Sequence, residues 1–328
     1  MIDRRADLVQ TLDEYLYPAI QKQYVAILTH ETDVIDEGNL EAVHQMRVSL
    51  RRLRSWLQLL TPILDVPKVM GNKPIGKIAK ILGKVRDLDV LQDICKTYQV
   101  NLPATEKVDL DEVISSIGKR RRKALIKVHS MLEGKEYQYF KIAINNWLNN
   151  PRYTSTISVP IDEILPDLIL PVVGQLFLNP GWWIDTDLDA ATATEADLSA
   201  AILTHGTNLH SLRKQIKATR YLMELFTDRY PPRYIDYLQD LKQIHKLLGN
   251  IQDGVVLDQL IQGVLGKRAA SKLPTLYAQI DRDRQLNWQA WQPIQHRYQQ
   301  STIRQELQLL LIQGIIKDSR SPEPSDSM

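Results

Sequence analysis

The chain lacks most of what marks a secreted protein or a common enzyme. Its single cysteine, Cys95, rules out an internal disulfide and suits a reducing compartment, with a buried structural thiol as its expected role. Only three phenylalanines and 14 glycines occur among 328 residues, and the abundance of Leu, Ile, Gln, Lys and Arg leans helical. There is no Gly-rich loop ending in lysine, no His-Glu-x-x-His and no Gly-x-Ser-x-Gly. No recognisable catalytic set is present, so we expect no enzyme activity, no cofactor and no metal site. The N-terminus lacks the apolar core of a secretory signal. The most apolar window, 161–177, is interrupted by Pro166, Asp167, Pro171 and Gly174, whereas a membrane span needs about 20 mostly uninterrupted apolar residues. The expectation is a cytoplasmic protein without a membrane partner.

Charge is nearly balanced overall, at +2, and by itself that implies no polyanionic partner. Its distribution says more. From Ala42 to Arg86 the only acid is Asp65, against Arg47, Arg51, Arg52, Arg54, Lys68, Lys73, Lys77, Lys80, Lys84 and Arg86. A segregated field of this kind concentrates anions even around a nearly neutral molecule.

The basic segment is duplicated. His44, Arg47, Arg51 and Arg54 are matched 166 positions later by His210, Arg213, Lys217 and Arg220. The spacing i, i+3, i+7, i+10 places each set within about 80° of one helix face. Leu82-Gly83 followed by Asp87 aligns at the same offset with Leu248-Gly249 and Asp253. The chain therefore reads as two homologous helical halves, with a period too long for an ordinary solenoid. The first half spans 1–150, a connector 149–160 and the second half 161–316. The tail 317–328, polar and Pro-rich, reads as disordered.

Within the first half, apolar spacing predicts helices over about 7–35, bent or divided at Pro18, and over 40–60. Two shorter helices are expected over 75–82 and 88–98, with Gly83 as a terminator or close-packing point. A further long pattern runs to Trp147, divided near Gly134. Asp87 and Asp253 then read as N-caps of the helices that follow them, or as acceptors orienting row arginines; capping is favoured. Short loops between antiparallel neighbours make each half a helical bundle, and the chain all-α.

Arg47, Arg51 and Arg54 cover about 10 Å of helix, so a linear phosphate chain could meet all three from one lane. Arginine suits this task because its planar fork offers parallel donors to phosphate oxygens. The simpler reading is an exposed charged face, but exposed faces usually mix signs to gain i,i+4 pairs, and these rows hold no acid. Lys73, Lys77, Lys80 and Lys84 form a second acid-free face; its counterpart retains only Lys246. Arg120, Lys123 and Lys127 share a third face within a basic run. His44 and His210 admit four roles: anion contact, structural hydrogen bonding, phosphoryl acceptor, or metal ligand, the last disfavoured because the Glu41-x-x-His44 pattern becomes Thr207-x-x-His210 in the repeat. Trp182, Trp183, Trp288 and Trp291 read as packing residues. A nucleic-acid partner is disfavoured because aromatic side chains for base stacking hardly occur among the charges.

His44-x-x-Arg47-x-x-x-Arg51-Arg52-x-Arg54 with Leu82-Gly83-x-x-Arg86-Asp87-x-Asp89-Val90, duplicated, resembles the CHAD family, the conserved histidine α-helical domain. The likeness covers nearly the whole chain to about Ile316. It implies two four-helix bundles related by a pseudo-twofold axis around a basic cavity, with inorganic polyphosphate as ligand and association with polyphosphate granules. The implied polyphosphate-binding residues are His44, Arg47, Arg51, Arg52, Arg54 and the lysines of the third helix, with His210, Arg213, Lys217 and Arg220. The second copy departs from the pattern at Ala218 and Gln252, against Arg52 and Arg86. The Glu-x-Glu-x-Lys signature of a triphosphate-tunnel domain is absent, which places any phosphate chemistry in a separate polyphosphate-metabolising enzyme.

Overall fold

The computed structural model describes residues 10–35, 39–154, 158–184 and 195–315. Among them every regular element is helical, and the only β pairing is two isolated bridges, Thr11 to Pro160 and Leu64 to Tyr153. The long helices are α1 (Leu12–Ile35), α2 (Leu40–Leu59), α3 (Asn72–Gln99), α4 (Ala104–Glu133), α5 (Lys135–Asn149), α6 (Ile161–Phe177), α7 (Glu195–Leu225) and α8 (Pro232–Leu265). A short α9 (Ala269–Lys272) leads into α10 (Pro274–Gln299) and α11 (Ser301–Gln313). No described helix is long and apolar enough to cross a membrane. The tail expected to be disordered lies outside the described residues.

The start of α2 is where the sequence reading placed it, and other boundaries differ. Asn39 caps α2 by accepting from the Ala42 amide at 3.0 Å. The helix α1 runs through Pro18 without a break, as α6 does through Pro166 and Pro171. The two helices expected on either side of Gly83 are one, α3, and Gly83 is buried in its interior. Asp87 and Asp253 therefore lie inside α3 and α8, where all neighbouring amides are already bonded, and neither is an N-cap. Gly83 serves as the close-packing point.

Two apolar cores hold these helices. The larger contains Leu16, Met46, Leu53 and Ile144 from the first half together with Leu165, Leu212, Phe226 and Trp291 from the second. Trp182, Trp288 and Trp291 are nearly fully buried within it, whereas Trp183 is half exposed under the Arg304 guanidinium. A smaller core joins the C-terminal part of α3 and the N-terminal part of α4 to their counterparts in α8 and α10, through Leu91, Cys95, Leu110 and Ile117 with Leu257, Ile261, Leu276 and Ile280. Burial pushes the Cys95 thiol up to about 12, as befits an inert structural thiol. Glu106, buried on α4, accepts from the Thr275 and Leu276 amides at 3.1 Å, satisfying orphan donors at the start of α10. Each core draws on both halves of the chain, which fixes α2 and α7 side by side.

Candidate anion-binding site

The site is built where α2 meets α7. Trp56, buried on α2, donates its indole N–H to the Tyr221 carbonyl of α7 at 2.7 Å. The repeat makes α3 the flank of α2 and α8 the flank of α7, and these pairs are packed together. The apolar stripe of α2 (Val43, Met46, Leu50, Leu53, Leu57) faces the core, which turns its arginines toward this junction.

Arg47 lies across α3. Its Nη2 donates to Asp87 Oδ1 at 3.2 Å, and a Cβ at Gly83 would sit 3.4 Å from its Nε. The equivalent contact recurs 166 positions on, where a Cβ at Gly249 would sit 3.3 Å from Arg213 Nη2. A side chain at either glycine would hold the guanidinium off the helix. Arg54 crosses Gly76, where a Cβ would come within 3.1 Å of its Cζ, and its Nε donates to Asn72 Oδ1 at 2.6 Å. Of the two readings offered for Asp87, orienting a row arginine is the one its geometry supports. Burial pushes the Asp253 carboxyl up, while Arg213 pulls it down and Asp87 pushes it further up.

Arg51 and Lys217 occupy equivalent positions of the two rows, and neither has an ion pair among the described residues. Burial pulls Arg51 down to about 10, with Arg47 and Arg213 adding repulsion. Lys217 falls to about 7, first through burial and then through Arg51, Arg213, Arg47 and Arg54. Four guanidinium groups crowd one amine. Such a cluster is unfavourable without an anion to fill it.

The histidines sit at the margin. His44 and His210 are partly buried, and each has a buried Nδ1 without a hydrogen-bond partner. Burial lowers both pKa values; Arg86, Arg47 and Arg51 add to the effect at His44, and Lys214, Arg213 and Lys217 at His210. A third histidine, His245 on α8, escaped the sequence reading. Burial, then Arg213, Lys217, Arg220 and Arg51, pull it down to about 3, so it is a neutral imidazole at the wall of the cluster. The first half has Ala79 at the equivalent position, and that mismatch was its only signal in the sequence.

Two further residues went unnoticed. Tyr221 lies beneath Arg220 and Arg52, with guanidinium carbons 5.0 and 5.9 Å from its ring centroid. Glu224 accepts from Arg220 Nη1 at 2.6 Å and stands 3.7 Å from Arg52 Nη2.

The other expected residues are spread more widely. Lys73, Lys77, Lys80 and Lys84 are exposed on α3, turned about 50–110° from its Gly76–Gly83 face. Lys77, turned furthest, pairs with Glu136 at 3.5 Å. Lys246 is exposed on α8. Arg120, Lys123 and Lys127 are exposed on α4, turned about 100–160° from Arg121. Arg121 points inward, donating from Nε to the buried Asp89 at 2.6 Å. The structure brings the α2 and α7 rows together; it leaves the α4 residues on an outer face.

A family described as the CHAD domain matches residues 18–262. Among solved structures, the crystal structure of the CHAD domain from the plant Ricinus communis shares 23% identity, covering 92% of this chain and 93% of that one, with a TM-score of 0.57. PptA from Streptomyces chartreusis has a TM-score of 0.65 at 12% identity, covering 88% of this chain and all of that one. Among curated proteins none matches the chain.

Proposed function

The chain belongs to the CHAD family, and on that premise we propose that it is a non-catalytic module that binds inorganic polyphosphate across α2 and α7. One observation carries the reading: Arg51 and Lys217, equivalent in the two rows, are crowded among cations and have no ion pair among the described residues. Phosphate units spaced along a flexible chain would supply the missing negative charge. Arg47, Arg54, Arg213 and Arg220 are the further first contacts, with His44 and His210 at the ends of the rows. Lys73, Lys80 and Lys84 extend the positive surface along α3. We read the two halves as bundles related by a pseudo-twofold axis through this cluster, which supports contact by both halves with one ligand. A cytoplasmic location, at polyphosphate granules or beside a polyphosphate-metabolising enzyme, accords with this role.

Nucleic acid is the competing polyanion. Trp56 and Tyr221 are the aromatic residues of the junction, and both are buried, with Tyr221 already covered by arginine. Neither offers a free ring to a base. The test is a titration with long-chain polyphosphate at several salt concentrations, with single-stranded RNA as competitor. Polyphosphate is expected to win, with a log–log salt slope steeper than about −2, an argument transferred from DNA counterion release. Pyrophosphate should bind far more weakly because it cannot reach both rows. Equal competition by RNA would refute the reading.

A further inference from the structure

The last turn of the α7 row carries a feature that the first half lacks. Four residues beyond Arg220, Glu224 continues the same helix face, whereas the equivalent residue in α2 is Gln58. The Glu224 carboxylate sits between arginines from α2 and α7: Oε1 accepts from Arg220 Nη1 at 2.6 Å, and Oε2 lies 3.7 Å from Arg52 Nη2. Oε2 is buried and has no hydrogen-bond partner. Arg52 is itself an addition of the first half, since its equivalent is Ala218. Both guanidinium groups also rest against Tyr221, and Trp56 pins the helices at this residue. The carboxylate therefore occupies a preformed two-arginine fork, the geometry that recognises phosphate and carboxylate alike.

We propose that Glu224 is a built-in counter-anion that, given the polyphosphate reading above, competes with the ligand for Arg52 and Arg220. An incoming phosphoryl unit must displace it to use these arginines. The unliganded cluster is relieved at this end, while Arg51 and Lys217 have no ion pair among the described residues. A long polyanion offsets the displacement through its many other contacts, but a short one cannot. Glu224 thereby selects against short phosphate chains.

The experiment compares wild type with Glu224→Gln and Gln58→Glu, titrated with long-chain polyphosphate and with tripolyphosphate, and with melting temperature recorded for each. Glu224→Gln should bind long chains about tenfold tighter at low salt, gain more than that for tripolyphosphate, and steepen the salt slope by about one. Gln58→Glu places an acid on an exposed position one turn beyond Arg54 and should weaken binding without unfolding the protein. If Glu224→Gln leaves affinity unchanged or lowers it while wild type binds, Glu224 only holds Arg220 in place and the inference fails alone. If Glu224→Gln does not fold, unchanged affinity in Gln58→Glu overturns the competitor role. Failure of wild type to bind long polyphosphate refutes the functional reading itself.

Discussion

Arg51 of α2 and Lys217 of α7 repel each other across the junction of two duplicated helices, and Arg51 is the largest charge contribution lowering the Lys217 amine. Two such groups are held together by the surrounding packing, chiefly the Trp56 bond to Tyr221 and the shared core beneath it. Lys217→Met should therefore raise the melting temperature in the absence of ligand, by removing a partly desolvated charge while keeping the stem's apolar contacts. It should also weaken polyphosphate binding. Thermal melting with and without ligand checks both; a fall in stability together with unchanged affinity would make Lys217 a structural residue.

The same pair sets a pH dependence. The folded-state pKa of Lys217, about 7, is below the ordinary value of 10.5, so the unfolded chain holds more protons between these limits. The penalty is full below about pH 7 and is relieved as pH rises toward 10.5, so this group makes stability increase with pH across that window. Bound phosphate would pull the amine back up. Binding at about pH 8 should thus take up protons, visible as a calorimetric enthalpy that varies with buffer ionisation, and the uptake should shrink in Lys217→Met.

Glycine placement gives a sharper contrast. Replacing an interior helical glycine by alanine normally gains about 1 kcal/mol of helix propensity. Gly118, where an added methyl would meet nothing within 4 Å, should show that gain and leave binding unchanged. Gly76→Ala and Gly249→Ala meet Arg54 and Arg213 at 3.1 and 3.3 Å. Part of the gain should be lost to crowding, and polyphosphate affinity should fall as the guanidinium groups shift. Denaturant unfolding and ligand titration on the three variants separate the two effects.

These glycines also show where the sequence was legible. The four-residue and three-residue steps of the basic rows are a direct record of helix geometry, so Arg47, Arg51, Arg54, Arg213, Lys217 and Arg220 could be placed on one face each. Gly83 looked like a helix end because glycine is a poor interior residue; what keeps it there is Arg47 lying against it, a tertiary contact. Reading a boundary at Gly83 turned Asp87 into a cap. Glu224 went unnoticed although it stands four residues beyond Arg220 on the same helix, and its approach to Arg52 joins positions 172 apart. His245 belongs to no row and faces the cluster only because α8 packs against α7.

The basic run 119–123 separates by the same geometry, since five consecutive residues must wrap around the helix. Arg121 serves Asp89, which is 2% exposed. Arg121→Ala leaves that carboxylate buried without its partner and should destabilise the protein by about 3 kcal/mol. Arg120→Ala and Lys123→Ala, on the exposed face, should each change stability by less than about 0.5 kcal/mol. Affinity per folded molecule should be unaffected in Arg121→Ala. Chemical denaturation followed by ligand titration measures both.

His44→Gln and His210→Gln separate a binding role from a phosphoryl-acceptor role. Glutamine keeps a donor of similar reach but forms no stable phosphoryl intermediate, so a binding module should retain much of its affinity in both variants. Burial and the neighbouring cations hold both imidazoles below the usual histidine value in the empty site. Bound phosphate favours the protonated ring and raises it again. Wild-type affinity should therefore increase as pH falls through the histidine range, and this increase should shrink in either variant. In each histidine the lowered folded-state pKa also means that stability falls as pH drops through the unfolded value of 6.5, so ligand-free melting should show the opposite slope. Release of phosphate by purified wild type, abolished in His44→Gln, would instead make this protein an enzyme.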